Sequence, residues 1–250
     1  MFLLKKVLCA FTLIFSLFVG NSVLANEEIK FDYEQEKKEF ELYMEEVIEE
    51  VEELNRDMNV FNDFTDAEYE KFLPQILKLE AENQDLSEED LDNLVYEFFV
   101  QEKAKKDMMI KPFYISIGGA NSQEVALCAR HPVRCTKVRS DASTASKQAN
   151  TYYSSGLHNG NGDAFRHAYW NVLMVKSIGL GPAAEFANAH EYGDTKQPKI
   201  EEIMDLHNNH LGRHDFRGYT ASQVRNGITS GKGVRIVNNK IVSTNSAGLR

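Results

Sequence analysis

Residues 159–193 read NGNGDAFRHAYWNVLMVKSIGLGPAAEFANAHEYG, and residues 201–213 read EEIMDLHNNHLGR. The glycines and asparagines of residues 156–162 mark a loop. Asp163 then opens a helix that runs to about residue 178, where Gly179 and Gly181 end it. Pro182 stands where a first helical turn tolerates a missing N–H, and a second helix covers residues 183–192. A third begins near residue 200 and stops at Gly212. Three helices joined by short turns make this part of the chain α-helical.

The same stretch holds the densest chemistry. Six of the seven histidines lie in it or beside it: His158, His167, His190, His207, His210 and His214. On the first helix, Asp163, His167, Trp170, Asn171 and Met174 share one side, because positions three and four apart are neighbours. Apolar residues surround the rest, so this helix is expected to be buried. A buried Asp–His–Asn stripe needs partners, since an unpaired buried charge costs several kcal/mol. On the second helix His190 closes an alanine-rich face and Glu191 follows it. On the third, Asp205, Asn208 and Asn209 cluster opposite Ile203, Leu206 and His210. Amphipathicity alone turns that polar cluster to solvent, or else to a cleft that it lines.

Imidazoles and carboxylates converging from separate helices suit Zn²⁺ or another divalent metal that activates water. The expected ligands are His167, His190 and Asp205, with Glu191 as general base or as the group that orients a ligand. In a metal-free version, Asp163 orients His167 as general base. Arg166 and Arg213 then hold an anionic group, and Asn171, Asn208 and Asn209 contribute polar contacts. The competing reading is a satisfied structural polar network with Asp163 as a helix cap. There is no HExxH, GxSxG, phosphate loop or dinucleotide fingerprint.

Working outward, residues 122–153 carry further helical pieces around Cys128 and Cys135. These are the two cysteines left once residues 1–25 are set aside. Lys5 and Lys6 followed by a short apolar run read as a secretory signal peptide, with an uncleaved anchor as the alternative. Export to an oxidising compartment favours a Cys128–Cys135 disulfide over two buried thiols. No later segment is apolar enough to span a bilayer, so a secreted protein is expected. Residues 234–244 predict a small β-hairpin turning at Asn238-Asn239.

Residues 26–112 hold 28 acids against 10 bases, whereas residues 113–250 hold 10 acids against 16 bases. That break suggests an acidic helical region (26–112), a linker (113–123) and a C-terminal domain (124–250). Phe40, Met44, Val47, Val51, Leu54, Met58 and Phe61 form one apolar helix stripe. Thr65 and Ser87 look like helix caps, and Pro74 predicts a break between them. About three helices are expected there, as a solvated face or as an acidic cover for the basic domain.

The segments NGNGDAFRHAYWN (159–171), AHE (189–191) and MDLHNNHLGR (204–213) resemble an uncharacterised bacterial domain family. Its members occur in exported proteins and at the ends of larger surface or toxin-like chains. The resemblance spans residues 124–244 and excludes the acidic region. It implies a shared site built on these motifs and brings no activity with it. A shorter likeness, Arg213-His-Asp-Phe216, resembles the catalytic helix of small secreted bacterial phospholipases A, and it implies His214 and Asp215 as base and calcium ligand.

The sequence therefore predicts a mainly α exported protein: an acidic helical region, then a C-terminal helical domain ending in a β-hairpin. Its expected function is a hydrolase acting on a phosphate-containing or anionic substrate, nucleic acid or phospholipid, with a divalent metal such as zinc. The alternative is a non-enzymatic interaction module whose Asp–His–Asn core is structural and whose acidic helices bind a partner.

Overall fold

The computed structural model describes residues 33–109 and 120–250. The signal peptide at residues 1–25 and the expected extended segment at residues 113–117 lie outside the described residues. Among the described residues the chain is mainly α-helical, with a two-stranded hairpin near its C-terminus. None of the described helices is long and apolar enough to cross a membrane.

In the acidic region α1 is Tyr33–Glu53, α2 is Asp66–Glu82 and α3 is Glu88–Met109. Phe40, Met44, Val47 and Val51 line the buried face of α1 as their spacing predicts. The stripe does not continue as one helix to Phe61. Asn55 adopts a left-handed φ of 53°, which asparagine tolerates better than most residues, and the chain turns there. Val60 and Phe61 reach the core from a separate 3-10 turn, Met58–Phe61. Thr65 and Glu68 close a reciprocal capping box at the start of α2. Pro74 does not break α2. It lies on the exposed face, where the carbonyl that it leaves unpaired can meet water. Tyr69 and Ile76 anchor the helix on either side of it.

Helices α4 (Ser122–Arg130) and α5 (Pro132–Tyr152) meet at His131, and Pro132 opens α5 as its first residue. The Cys128–Cys135 disulfide closes this turn. Arg56, buried below α4, donates to the carbonyls of Ala129 and Arg130 at 2.7 and 3.0 Å. These are carbonyls that a helix end leaves without an internal partner. Replacing both cysteines with alanine is expected to cost about 2.5 kcal/mol, from the closure entropy of so short a loop. Urea unfolding measures it. A loss below about 1 kcal/mol would show that the turn holds without the bridge.

Helices α6 (Asn161–Ile178), α7 (Leu180–Gly193) and α8 (Lys199–Arg213) follow, with α9 at Ala221–Thr229. Strands β1 (Val234–Val237) and β2 (Lys240–Ser243) pair antiparallel. Asn238 and Asn239 both take left-handed φ, as the tight hairpin turn requires. The hairpin is tied back to the loop before α6 by the Ile236 N–H, which donates to the Asn159 carbonyl at 2.8 Å.

Several ion pairs join the acidic helices to later ones. Lys137 meets Glu80 at 2.9 Å, Arg139 meets Asp66 at 2.6 Å and Lys199 meets Glu34 at 2.8 Å. Lys147 pairs with Glu70, and Arg134 with Glu88. The exposed ones contribute little each, about 0–1 kcal/mol.

Candidate functional site

Asp163, His167 and Asn171 stand one turn apart on α6, and all three are buried. Asp163 lies in the first turn, where a helix favours a negative charge. Its Oδ2 accepts from the Asn159 N–H at 2.6 Å, and its Oδ1 accepts from Arg166 Nη2 at 2.6 Å.

The polar face of α8 is buried as well. Asn208 and Asn209 are each 0% exposed, and Asp205 is 5% exposed. Solvent does not reach this face because α6, α7 and β1 cover it. Asn208 serves the hairpin: its Nδ2 donates to the Val234 carbonyl at 2.9 Å, and its Oδ1 accepts from the Val234 N–H at 3.1 Å. It thereby pairs β1 as a neighbouring strand would. Asn209 turns to the centre. Its Oδ1 accepts from Asn171 Nδ2 at 2.7 Å, and its Nδ2 donates to Glu191 Oε1 at 2.7 Å. Arg213 Nη1 donates to Asn171 Oδ1 at 2.7 Å. Burial lowers the Arg213 pKa to about 10, against the pull of Glu36, Tyr192 and Glu191. Arg213, Asn171, Asn209 and Glu191 thus form one continuous buried relay across three helices.

His167 is the hub. Its Nδ1 faces Asn209 Oδ1 at 3.3 Å and Glu191 Oε1 at 3.4 Å. Its Nε2 faces Asp205 Oδ1 at 3.3 Å, Asp163 Oδ1 at 3.5 Å and Arg166 Nη2 at 2.7 Å. Burial and Arg166 disfavour the charged ring, yet Asp205 and Glu191 outweigh them and raise its pKa. The contact with Arg166 pulls the other way, because a guanidinium N–H at 2.7 Å needs a bare Nε2. Geometry decides in favour of a neutral ring with its proton on Nδ1, facing Asn209 and Glu191. Burial raises the Asp205 pKa, and the charges of Glu191 and Asp163 add to it. For Glu191, burial is overcome by His167, His190 and Asn209, and its pKa is lowered.

Asp163, His167 and Asp205 each offer a ligand atom within 4.8 Å of the others, and all three side chains are buried. Asp205 Oδ2 accepts from Gln197 Nε2 at 2.8 Å, but Oδ1 has no hydrogen-bond partner. A buried acceptor left in that state costs about 1–3 kcal/mol, so it calls for an explanation. Arg166 Nη2 stands among these atoms, in the place where a cation would balance them.

Of the expected ligands, His167 and Asp205 come together. His190 does not join their cluster. Its Nδ1 meets Glu124 Oε1 at 3.1 Å, and its ring packs edge-on against Trp170 with centroids 5.3 Å apart. Burial opposes its charge, but Glu124 prevails and raises it to about 9. Asp163 stands in the cluster instead. Glu191 lies behind the imidazole, on the Nδ1 side. His210 and His214 stack on each other at 4.2 Å, and α8 ends at Arg213. His214 and Asp215 therefore sit exposed beyond the helix end, not on a helix as the phospholipase likeness requires.

Arg166 and His190 also face a cavity of about 430 Å³. Its far walls carry the start of α2, which the sequence marks only as a helix cap, and Arg139 from α5, which the sequence does not single out. Glu124 could have been flagged from Asn121-x-x-Glu124, a capping box at the head of α4. Arg139 has no local signal.

Residues 125–241 match the family described as "Domain of unknown function (DUF6973)". The match contains Asp163, His167, Glu191 and Asp205 and leaves out α1 to α3. No solved structure matches the chain.

Proposed function

We propose that the protein is an exported metal-dependent hydrolase of anionic, phosphate-containing substrates, with Asp163, His167 and Asp205 as the metal ligands. The observation that carries this reading is the spacing around His167 Nε2. Metal bonds near 2.1 Å at tetrahedral angles put neighbouring ligand atoms about 3.4 Å apart. Asp205 Oδ1 and Asp163 Oδ1 lie 3.3 and 3.5 Å from Nε2. Those separations are long for charge-assisted hydrogen bonds, which run about 2.7–2.9 Å. A metal here would supply a Lewis acid and a water of lowered pKa. The chain's own residues do the rest. Glu191 and Asn209 hold the Nδ1 side of His167, so that Nε2 stays free to bind. Arg166, whose side chain is one-third exposed, withdraws toward the cavity and is then placed to hold the substrate anion. The disulfide is compatible with export.

One observation favours the second reading, a non-enzymatic interaction module. The Arg213–Asn171–Asn209–Glu191 relay is hydrogen-bonded throughout and needs no ligand to be a sound polar core.

Metal analysis separates the two. Wild type supplemented with Zn²⁺, Mn²⁺ or Ca²⁺ and then desalted is expected to keep one ion per chain. His167→Ala and Asp205→Asn should each weaken that binding by about 100-fold or more, and Glu191→Gln by about tenfold, as for groups that orient a ligand. Wild type that retains no stoichiometric ion would leave the interaction module as the reading.

A further inference from the structure

The 430 Å³ cavity beside the cluster is lined by five helices, and α4 contributes the Glu124 carboxylate to its wall. The start of α2 contributes its cap Thr65 with Asp66 and Ala67. Helix α5 contributes Arg139 and Lys147, α6 contributes Arg166 and Trp170, and α7 contributes His190. Its volume is in the range of small-molecule sites, about 300–1,000 Å³. Most of its charges are already paired, Glu124 with His190 inside the wall itself and Lys147 with Glu70. Arg139 is different. Its side chain is 10% exposed, and the guanidinium is braced over the Tyr69 ring at 5.5 Å. Its Nε lies 2.6 Å from Asp66 Oδ1, yet neither atom makes a directed hydrogen bond. The two charges touch without alignment. Asp66 is also the outer partner, with 40% of its side chain exposed.

Taking the phosphate-directed reading above as its premise, we infer that this cavity is an oxyanion subsite for the phosphate of a nucleotide or a lipid headgroup, and that the Asp66 carboxylate occupies it. Arg139 is the fixed fork, suited to two oxygens of one phosphate. Arg166 is the second cation and links the subsite to the His167 cluster. The N-terminal turn of α2, whose Thr65 and Glu68 amides are used in the capping box, brings the positive end of a helix dipole to the same wall. A carboxylate that meets Arg139 out of line is a poor substitute for a tetrahedral oxyanion. Burial raises the Asp66 pKa although Arg139 lowers it, so its charge is held at a cost. Displacing Asp66 needs only a side-chain rotation at a helix end.

The test is calorimetric titration of the disulfide-intact chain with inorganic phosphate in EDTA. Asp66→Asn is expected to bind phosphate about tenfold more tightly than wild type. Adding Arg139→Gln should remove that gain, and Arg139→Lys, which keeps charge and bulk, should remove most of it. The Asp205→Asn variant tells this inference from the metal reading: it should lose metal but bind phosphate as wild type does. Titration of Asp66→Asn with a dinucleoside monophosphate and with glycerophosphocholine then distinguishes the two sources by which binds more tightly. An Asp66→Asn chain with wild-type phosphate affinity, or a gain that survives both Arg139 variants, would overturn the subsite.

Discussion

Gly212→Ala is expected to destabilise the protein by about 3 kcal/mol or more, although helix propensity alone predicts a gain of about 1 kcal/mol. A Cβ at Gly212 would lie 2.1 Å from the Ala168 carbonyl oxygen, and 2.9 Å from both the carbonyl carbon and the Cα of that residue. These are backbone atoms of α6, so no rotamer change relieves the clash and one helix must move. Helix α6 cannot yield freely, because α5 packs along it and Trp170 Nε1 donates to the Val138 carbonyl at 3.2 Å. Ala168 is also the neighbour of His167. Any displacement of α8 large enough to admit a methyl changes the His167–Asp205 separation, so metal affinity should fall with stability. Gly181→Ala is the control: an added Cβ there meets nothing within 4 Å, and the variant should be neutral or slightly stabilised. Denaturant unfolding of both measures the effect. A Gly212→Ala chain as stable as wild type would show that α6 and α8 cross less closely than described.

The requirement for glycine at residue 212 illustrates what the sequence conveyed and what it withheld. Gly212 reads as a helix stop, yet α8 runs through it to Arg213, and the residue's role is set by α6. Local spacing was enough for α6. Asp163, His167 and Asn171 fall on one stripe with apolar residues around it, and all three are buried together. It was enough also for the Asn238-Asn239 turn, while the disulfide followed from the expected oxidising compartment and the count of two cysteines. It failed where a distant element decides. The Asp205–Asn209 face looks solvated by its own periodicity and becomes core because α7 and β1 close over it. His190 looks like a ligand beside Glu191 but is held by Glu124, 66 residues earlier. Pro74 predicts a break, but an exposed helix face tolerates it. For His190 and the Asp205–Asn209 face a long-range contact outweighs the local pattern, whereas at Pro74 solvent exposure does.

Asn209→Ala is expected to cost about 3–5 kcal/mol, at the upper end for a single polar truncation. The amide of Asn209 satisfies two partners and faces a third. Its Oδ1 accepts from Asn171 Nδ2 and faces His167 Nδ1, and its Nδ2 donates to Glu191 Oε1. Alanine removes all of these at a position with no access to solvent. The costliest orphan is Glu191, a buried carboxylate whose lowered pKa depends first on His167 and His190 and then on Asn209. A double-mutant cycle distinguishes a relay from a set of separate contacts. If Asn171 and Asn209 act as one unit with Arg213, then Asn171→Ala should add little to Asn209→Ala, and the coupling energy should exceed about 1 kcal/mol. Simple additivity would refute the relay. The same cycle read in metal affinity asks whether the relay serves chemistry as well as the fold. With the proton of His167 on Nδ1, losing the Asn209 oxygen frees the ring to rotate or change tautomer, which should weaken binding about 10–100-fold. A chain that loses stability but keeps its metal affinity would confine Asn209 to the core, and would leave Glu191 alone to hold the imidazole in place.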